Sequence, residues 1–175
     1  MKNGQFQIYT GFGKGKTTAA IGLAVRAIGA GCKVYMGQFI KDMLYHEIEV
    51  LRSLPNITID LYGSGDGCFI NAREIKEADL LASKAGVDRI ITALSSKEYD
   101  LVIADEINVA ASLGLVSTMD MKEIISAKHE GVELVFTGIS CPDEILDMAD
   151  LVTEMKEIRH YYKTKGITSR DGIER

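Results

Sequence analysis

The stretch "IYTGFGKGKTTAA", residues 8–20, leaves a β-rich run and enters a helical pattern. A phosphate-binding loop reads Gly, four residues, then Gly-Lys-Ser/Thr, because backbone N–H groups must curl round phosphate oxygens and a lysine must reach them. Gly15-Lys16-Thr17 supplies the end of that pattern, while Thr10 stands where its first glycine would be. Gly11 and Gly13 still let the backbone curl, and Lys14 adds a second cation. Three glycines and two lysines between Gly11 and Lys16 are a poor choice for a turn with nothing to bind. N–H groups from Gly11 to Thr17, aided by the helix dipole, are therefore expected to converge on phosphate. Lys16 would neutralise phosphate charge, and the Thr17 hydroxyl would ligate Mg2+.

Working outward, short β-rich runs alternate with helical patterns, which predicts βαβ units around a parallel sheet. Strands are expected at 6–10, 33–39, 57–63, 100–106, 132–138 and 150–158. The first helix is expected over Thr17–Ala30 on a stripe of Ile21, Ala24, Val25 and Ile28. The longest should begin near Asn71, whose spacing to Glu74 suits a capping box. Its stripe is Ala78, Leu81, Ala82, Ala85, Ile90, Ile91 and Leu94, with Gly86 as a point of bending or splitting. A short helix follows Pro142, with Asp143 and Glu144 in its first turn. Right-handed crossovers bring the loops after Thr10, Phe39, Tyr62, Ala104 and Thr137 to one sheet edge, where a single site is expected to collect all five.

The run "LVIADE" (101–106) ends an apolar strand in Asp105-Glu106, carboxylates suited to face a phosphate loop and serve Mg2+. At 175 residues, with 46% apolar and 26% charged residues, the chain suits a single soluble domain over 1–175. A net charge of −5 argues against a general nucleic-acid binder. Cys32, Cys68 and Cys141 lack metal-ligand spacing. The opening "MKNGQFQIYT" lacks a signal-peptide core and no run is long enough to span a bilayer, so a cytoplasmic location is expected.

With these segments in place the sequence resembles the ATP:corrinoid adenosyltransferases that carry a phosphate loop. The resembling pieces are "YTGFGKGKTTAAIGLAVRA" (9–27), "GQFIK" (37–41), "YDLVIADEINVAASLGL" (99–115), "VELVFTG" (132–138) and "ADLVTEMKEIRHYYKTKGITSRDGIE" (149–174). The resemblance implies a three-layer, RecA-like α/β fold with a mostly parallel sheet of about six strands. It implies transfer of 5′-deoxyadenosyl from MgATP (or the Mn2+ complex) to a cob(I) corrinoid, with triphosphate as leaving group. By that analogy Lys16, Thr17 and Glu106 act in catalysis, and Thr17, Asp105 and Glu106 serve the metal. Gly11, Phe12, Gly13, Lys14, Gly15, Lys16, Thr17, Thr18, Gln38 and Phe69 would contact the nucleotide and corrinoid. A homodimer is implied, with a flavin-type protein as candidate reductant. The rival readings are a phosphate-loop ATPase or kinase, and a non-catalytic, nucleotide-gated corrinoid carrier.

Two segments depart from the family. The loop "GSGDGCFI" (63–70) retains Phe69 as its only aromatic, where relatives often read like "GxGFTW". Ile139 stands where many relatives have Arg, and the N-terminal extension of some relatives is expected to be missing. His46, His129 and His160 read as surface or packing residues, and Met119 and Met121 as packing. Gln38 and Lys41 are expected at the site edge. The tail from Lys156, with six Lys/Arg against three acids, reads as a solvated face whose Arg159, Tyr161 or Tyr162 could line the site mouth or a dimer contact.

Overall fold

All six expected strands form, and every pairing is parallel. The computed structural model describes residues 3–41, 46–64 and 74–174. Its elements are β1 (Phe6–Thr10), α1 (Lys16–Gly29), β2 (Val34–Phe39), α2 (His46–Ser53), β3 (Ile57–Tyr62) and α3 (Glu77–Ser95). They continue with β4 (Leu101–Asp105), α4 (Ile107–Ser112), α5 (Thr118–Ala127), β5 (Glu133–Thr137), α6 (Asp143–Leu146), β6 (Leu151–Glu154) and α7 (Tyr161–Lys165).

The strand order is β3-β2-β4-β5-β1-β6. Helices cover both faces of the sheet, so the fold is the three-layer α/β architecture of phosphate-loop proteins. Strand residues alternate between the two faces. Phe6, Ile8, Tyr35, Phe39, Val102, Leu134 and Phe136 pack with residues of α3, α4, α5 and α6. Val34, Met36, Ile59, Leu101, Ile103 and Val135 pack with residues of α1 and α2. The central strands β2, β4 and β5 are buried throughout, as their continuous apolar runs require. The topology matters for chemistry because β5 lies between the loop-bearing β1 and the acid-bearing β4.

Several local expectations are corrected. The buried stripe of α1 is Ala20, Ala24 and Ala27, and Val25 is 48% exposed. Alanine lets this helix lie close on the sheet, which turns the larger Ile21 and Ile28 to its flanks. The long helix starts at Glu77, where Asp79 accepts the Lys76 N–H at 2.9 Å. Asn71 lies outside the described residues, and Glu74 precedes the helix. Its buried positions are Asp79, Ser83, Gly86, Val87, Ile90, Ala93 and Leu94, while Leu81 is 64% exposed. Gly86 does not split it: a Cβ there would sit 2.8 Å from the Phe39 ring and 2.9 Å from Tyr62, so glycine permits close packing on β2 and β3.

Strand β6 is four residues long, because this edge strand has β1 as its partner on one side and then rises over the loop. Helices α2, α4, α5 and α7 were not anticipated. For α5 the signal was present: Ser117 and Asp120 form a capping box. Met121 is buried as expected, but Met119 is 71% exposed. No described helix is long and apolar enough to cross a membrane.

Candidate active site

The loop between β1 and α1 is shaped by close backbone contact. The Gly13 N–H donates to the Met155 carbonyl at 2.6 Å. A Cβ on Gly11 or Gly13 would lie 2.6 Å from that same oxygen, and Gly11 also has φ +94. These two glycines are therefore required where the chain after β6 crosses the loop, and the N–H of Gly13 is committed to that crossing. Gly15 ends the loop in the left-handed region and caps α1. The first turn of α1 contains no acid. Lys14 and Lys16 thus stand at the positive end of a helix dipole, an arrangement that favours an anion as partner.

Lys16 is nearly buried, and its ammonium donates to the carbonyls of Gly11 at 2.7 Å and Gly13 at 2.8 Å. Burial lowers its pKa, against the attraction of Glu106 and Asp105. Lys14 reaches the other way, to the Glu174 carboxylate at 2.9 Å and the Ile173 carbonyl at 3.2 Å. Hydrogen bonds from Arg170, Tyr161 and Lys14 hold the Glu174 carboxyl well below the usual carboxylate range.

Asp105 closes β4 and is fully buried. Its carboxylate accepts from Thr17 Oγ1 at 2.9 Å, Thr137 Oγ1 at 2.6 Å, Gln38 Nε2 at 2.9 Å and Lys41 Nζ at 3.0 Å. The sheet order explains this convergence. Gln38 is directly beside Asp105 in the β2–β4 register, and β5 carries Thr137 between Asp105 and the loop. Thr137 also accepts the Glu106 N–H at 2.9 Å, which holds Glu106 at φ 60. Burial, then the neighbouring Asp105, raises the Glu106 pKa, while Lys41 and Lys16 oppose the shift. For Lys41 burial works against the charge, yet Asp105 and Glu106 outweigh it and raise the pKa.

Thr17, Asp105 and Glu106 are hard oxygen donors, the set that suits Mg2+. Gln38 Oε1 is buried without a hydrogen-bond partner although its amide nitrogen is held on Asp105, and a water on a hydrated cation would satisfy it. No group of three or more His, Cys, Asp or Glu able to hold a metal occurs among the described residues.

These groups open onto a cavity of about 770 Å3, within the range of small-molecule sites. Lys14, Gly15, Lys16, Thr17, Thr18, Lys41 and Glu106 line one side of it. Gln38 lies buried behind Asp105, and Phe12 is 76% exposed and not part of the wall. Phe69 and the altered segment 65–70 lie outside the described residues. Ile139 is half-buried and not in the wall. Of the expected five loops, those after β1, β2 and β4 reach the cavity and β5 acts through Thr137, while most of the loop after Tyr62 lies outside the described residues. The tail supplies the rest of the wall, including Tyr161, Tyr162, Thr168 and Glu174; it is exposed, as a solvated face should be, and Tyr161 and Tyr162 lie at the cavity. His46, exposed as a surface residue, and the part-exposed His160 line it as well. Thr137 and Glu47 were missed; a threonine ending a buried strand carries no motif until its neighbours are known.

Residues 2–175 match the family model described as ATP:corrinoid adenosyltransferase BtuR/CobO/CobP. An uncharacterised protein of Nostoc sp. is 34% identical over 90% of the chain, which spans 45% of that protein's length. Corrinoid adenosyltransferases of Escherichia coli (28% identical, 95% of this chain and 83% of theirs) and Pseudomonas aeruginosa (29%, 99% and 84%) match along nearly the whole chain.

Proposed function

This chain belongs to the ATP:corrinoid adenosyltransferase family BtuR/CobO/CobP, and from that premise we propose that it transfers 5′-deoxyadenosyl from MgATP to a reduced corrinoid. The observation that carries the reading is the placing of Lys16, at an acid-free helix N-terminus, near a buried carboxylate held on Thr17. In the transfer, the electron pair of the cob(I) substrate forms the bond to the ribose 5′ carbon. The bond from that carbon to the α-phosphate oxygen breaks, and its electrons leave with triphosphate.

Such a reaction requires no base to activate water on phosphorus. It requires the whole triphosphate to be gripped as one leaving group and the ribose end to be presented to a flat acceptor. Lys16 exchanges its two loop carbonyls for phosphate oxygens, while Lys14 supplies charge at the mouth. Thr17 and Asp105, with Glu106 beside them, would hold Mg2+, whose charge would offset that of the departing triphosphate. The tail wall, with Tyr161 and Tyr162, covers the opposite side. The reading carries with it a homodimer, a flavin-type reductant and a cytoplasmic setting.

One observation favours a second reading. Glu106 follows Asp105 at the cavity with a raised pKa, a position from which a base could activate water for ATP hydrolysis. Products separate the two. Incubation with chemically reduced cob(I)alamin and MgATP should yield the light-sensitive adenosylcobalamin spectrum together with triphosphate. ADP and phosphate without a cobalt–carbon bond, with either cob(I)alamin or cob(I)yrinic acid a,c-diamide, would establish the second reading instead.

A further inference from the structure

We propose that Lys41 is a resident stand-in for the divalent cation, holding Thr17 and Asp105 together in the nucleotide-free protein and leaving them when metal and nucleotide enter. The inference rests on the reading of Thr17 and Asp105 as metal ligands. Of the four donors on the fully buried Asp105 carboxylate, Lys41 carries the formal charge. A buried carboxylate stripped of its cation is costly, so neutral donors alone would leave this strand end poorly compensated.

The Lys41 ammonium also lies 3.4 Å from Thr17 Oγ1. It therefore touches the same two side chains that would ligate the metal, and two cations cannot share that place. The position is built, not incidental. Ile40, a β-branched residue at φ 69, adopts a backbone conformation that is strained for its type and turns the chain at the end of β2. Lys41 follows that turn directly onto Asp105.

A lysine can also leave. Its stem is flexible, its ammonium has three donors, and the side chain is part of the cavity wall, facing Glu106 and Glu47. An incoming triphosphate offers the ammonium a new partner as the metal takes the old one. Metal and nucleotide should therefore bind cooperatively, since phosphate draws Lys41 away from the metal's ligands.

The test is Mn2+ binding, followed by electron paramagnetic resonance, in the wild type and in Lys41→Ala, Lys41→Met, Lys41→Arg and Asp105→Asn. Without nucleotide, Lys41→Ala and Lys41→Met should bind Mn2+ roughly tenfold more tightly than the wild type. Lys41→Arg should stay weak. ATP should tighten Mn2+ binding in the wild type and do so much less in Lys41→Ala. Mn2+ should also raise the melting temperature of Lys41→Ala more than that of the wild type, a readout independent of turnover. Equal Mn2+ affinity in the wild type and both neutral variants would overturn the proposal, and the metal-site reading would stand if Asp105→Asn alone lost Mn2+. If Asp105→Asn bound Mn2+ with ATP as the wild type does, the metal-site reading would fall and the proposal with it.

Discussion

The two walls of the cavity are built in opposite ways. Behind one of them Asp105, Thr137 and Gln38 are fully buried at the ends of central strands, and each is held by others of the group. On the other, α7 contains no buried residue, and Ile158, Tyr162 and Ile173 are all more than half exposed. Backbone bonds after β6 join the two walls at Gly13–Met155, and Lys14–Glu174 joins them at the surface. The difference teaches where precision is required. Groups that must hold charge in a fixed place stand on strands that cannot move independently. The covering segment has few buried contacts, the mark of a segment that opens locally at low cost.

The largest effect expected on the rigid wall is that of Lys16→Ala. Turnover should fall by roughly a hundredfold to a thousandfold or more, while the circular dichroism spectrum stays unchanged. Retained turnover would remove the loop from the proposed chemistry. Next comes the seam between the walls. Gly11→Ala places a methyl against the Met155 backbone at a positive φ, and should destabilise the protein by about 1–3 kcal/mol in urea titrations. An unchanged midpoint would mean that the crossing segment is not held as described.

A smaller, local effect is expected at the surface tie. Glu174→Gln should speed amide exchange across 161–174 by roughly severalfold, with 101–106 unaffected. Equal acceleration on both sides would erase the contrast between the walls.

The smallest effect concerns Glu106, whose raised pKa means that the folded protein keeps a proton the unfolded chain has lost. That penalty is absent below the ordinary value near 4.5, appears as pH rises through it, and is complete above the folded value. Glu106→Gln should therefore raise the melting temperature at neutral pH by about one or two degrees, and the gain should vanish in acid. A gain that grew on acidification would reverse the assigned direction.

Legibility followed the same division. The strands of the rigid wall could be read because both their faces are buried, so Val, Ile and Leu run nearly without interruption. Gly15-Lys16-Thr17 and Asp105-Glu106 were visible because residues adjacent in sequence form one local geometry. The stripes of α1 and α3 were placed too far round their helices. Periodicity sees large apolar residues, whereas close packing on the sheet selected Ala20, Ala24, Ala27 and Gly86. The tail wall was the least readable. Its polar composition describes a solvated segment equally well, and its position depends on a backbone bond across 142 residues of separation, from Gly13 to Met155.

The sequence by itself determined a parallel α/β domain with a phosphate loop, a strand ending in two acids, and the family to which it belongs. Those properties are carried by short-range patterns, in which side-chain period and backbone freedom act over a few residues. Only the tertiary structure decided that Thr137 sits between acid and loop, that Lys41 rests on the proposed metal ligands, and that the tail lines the cavity. Each depends on strand order and on contacts between distant segments, where the partner of a polar group is chosen by which other buried groups the sheet brings within hydrogen-bond reach.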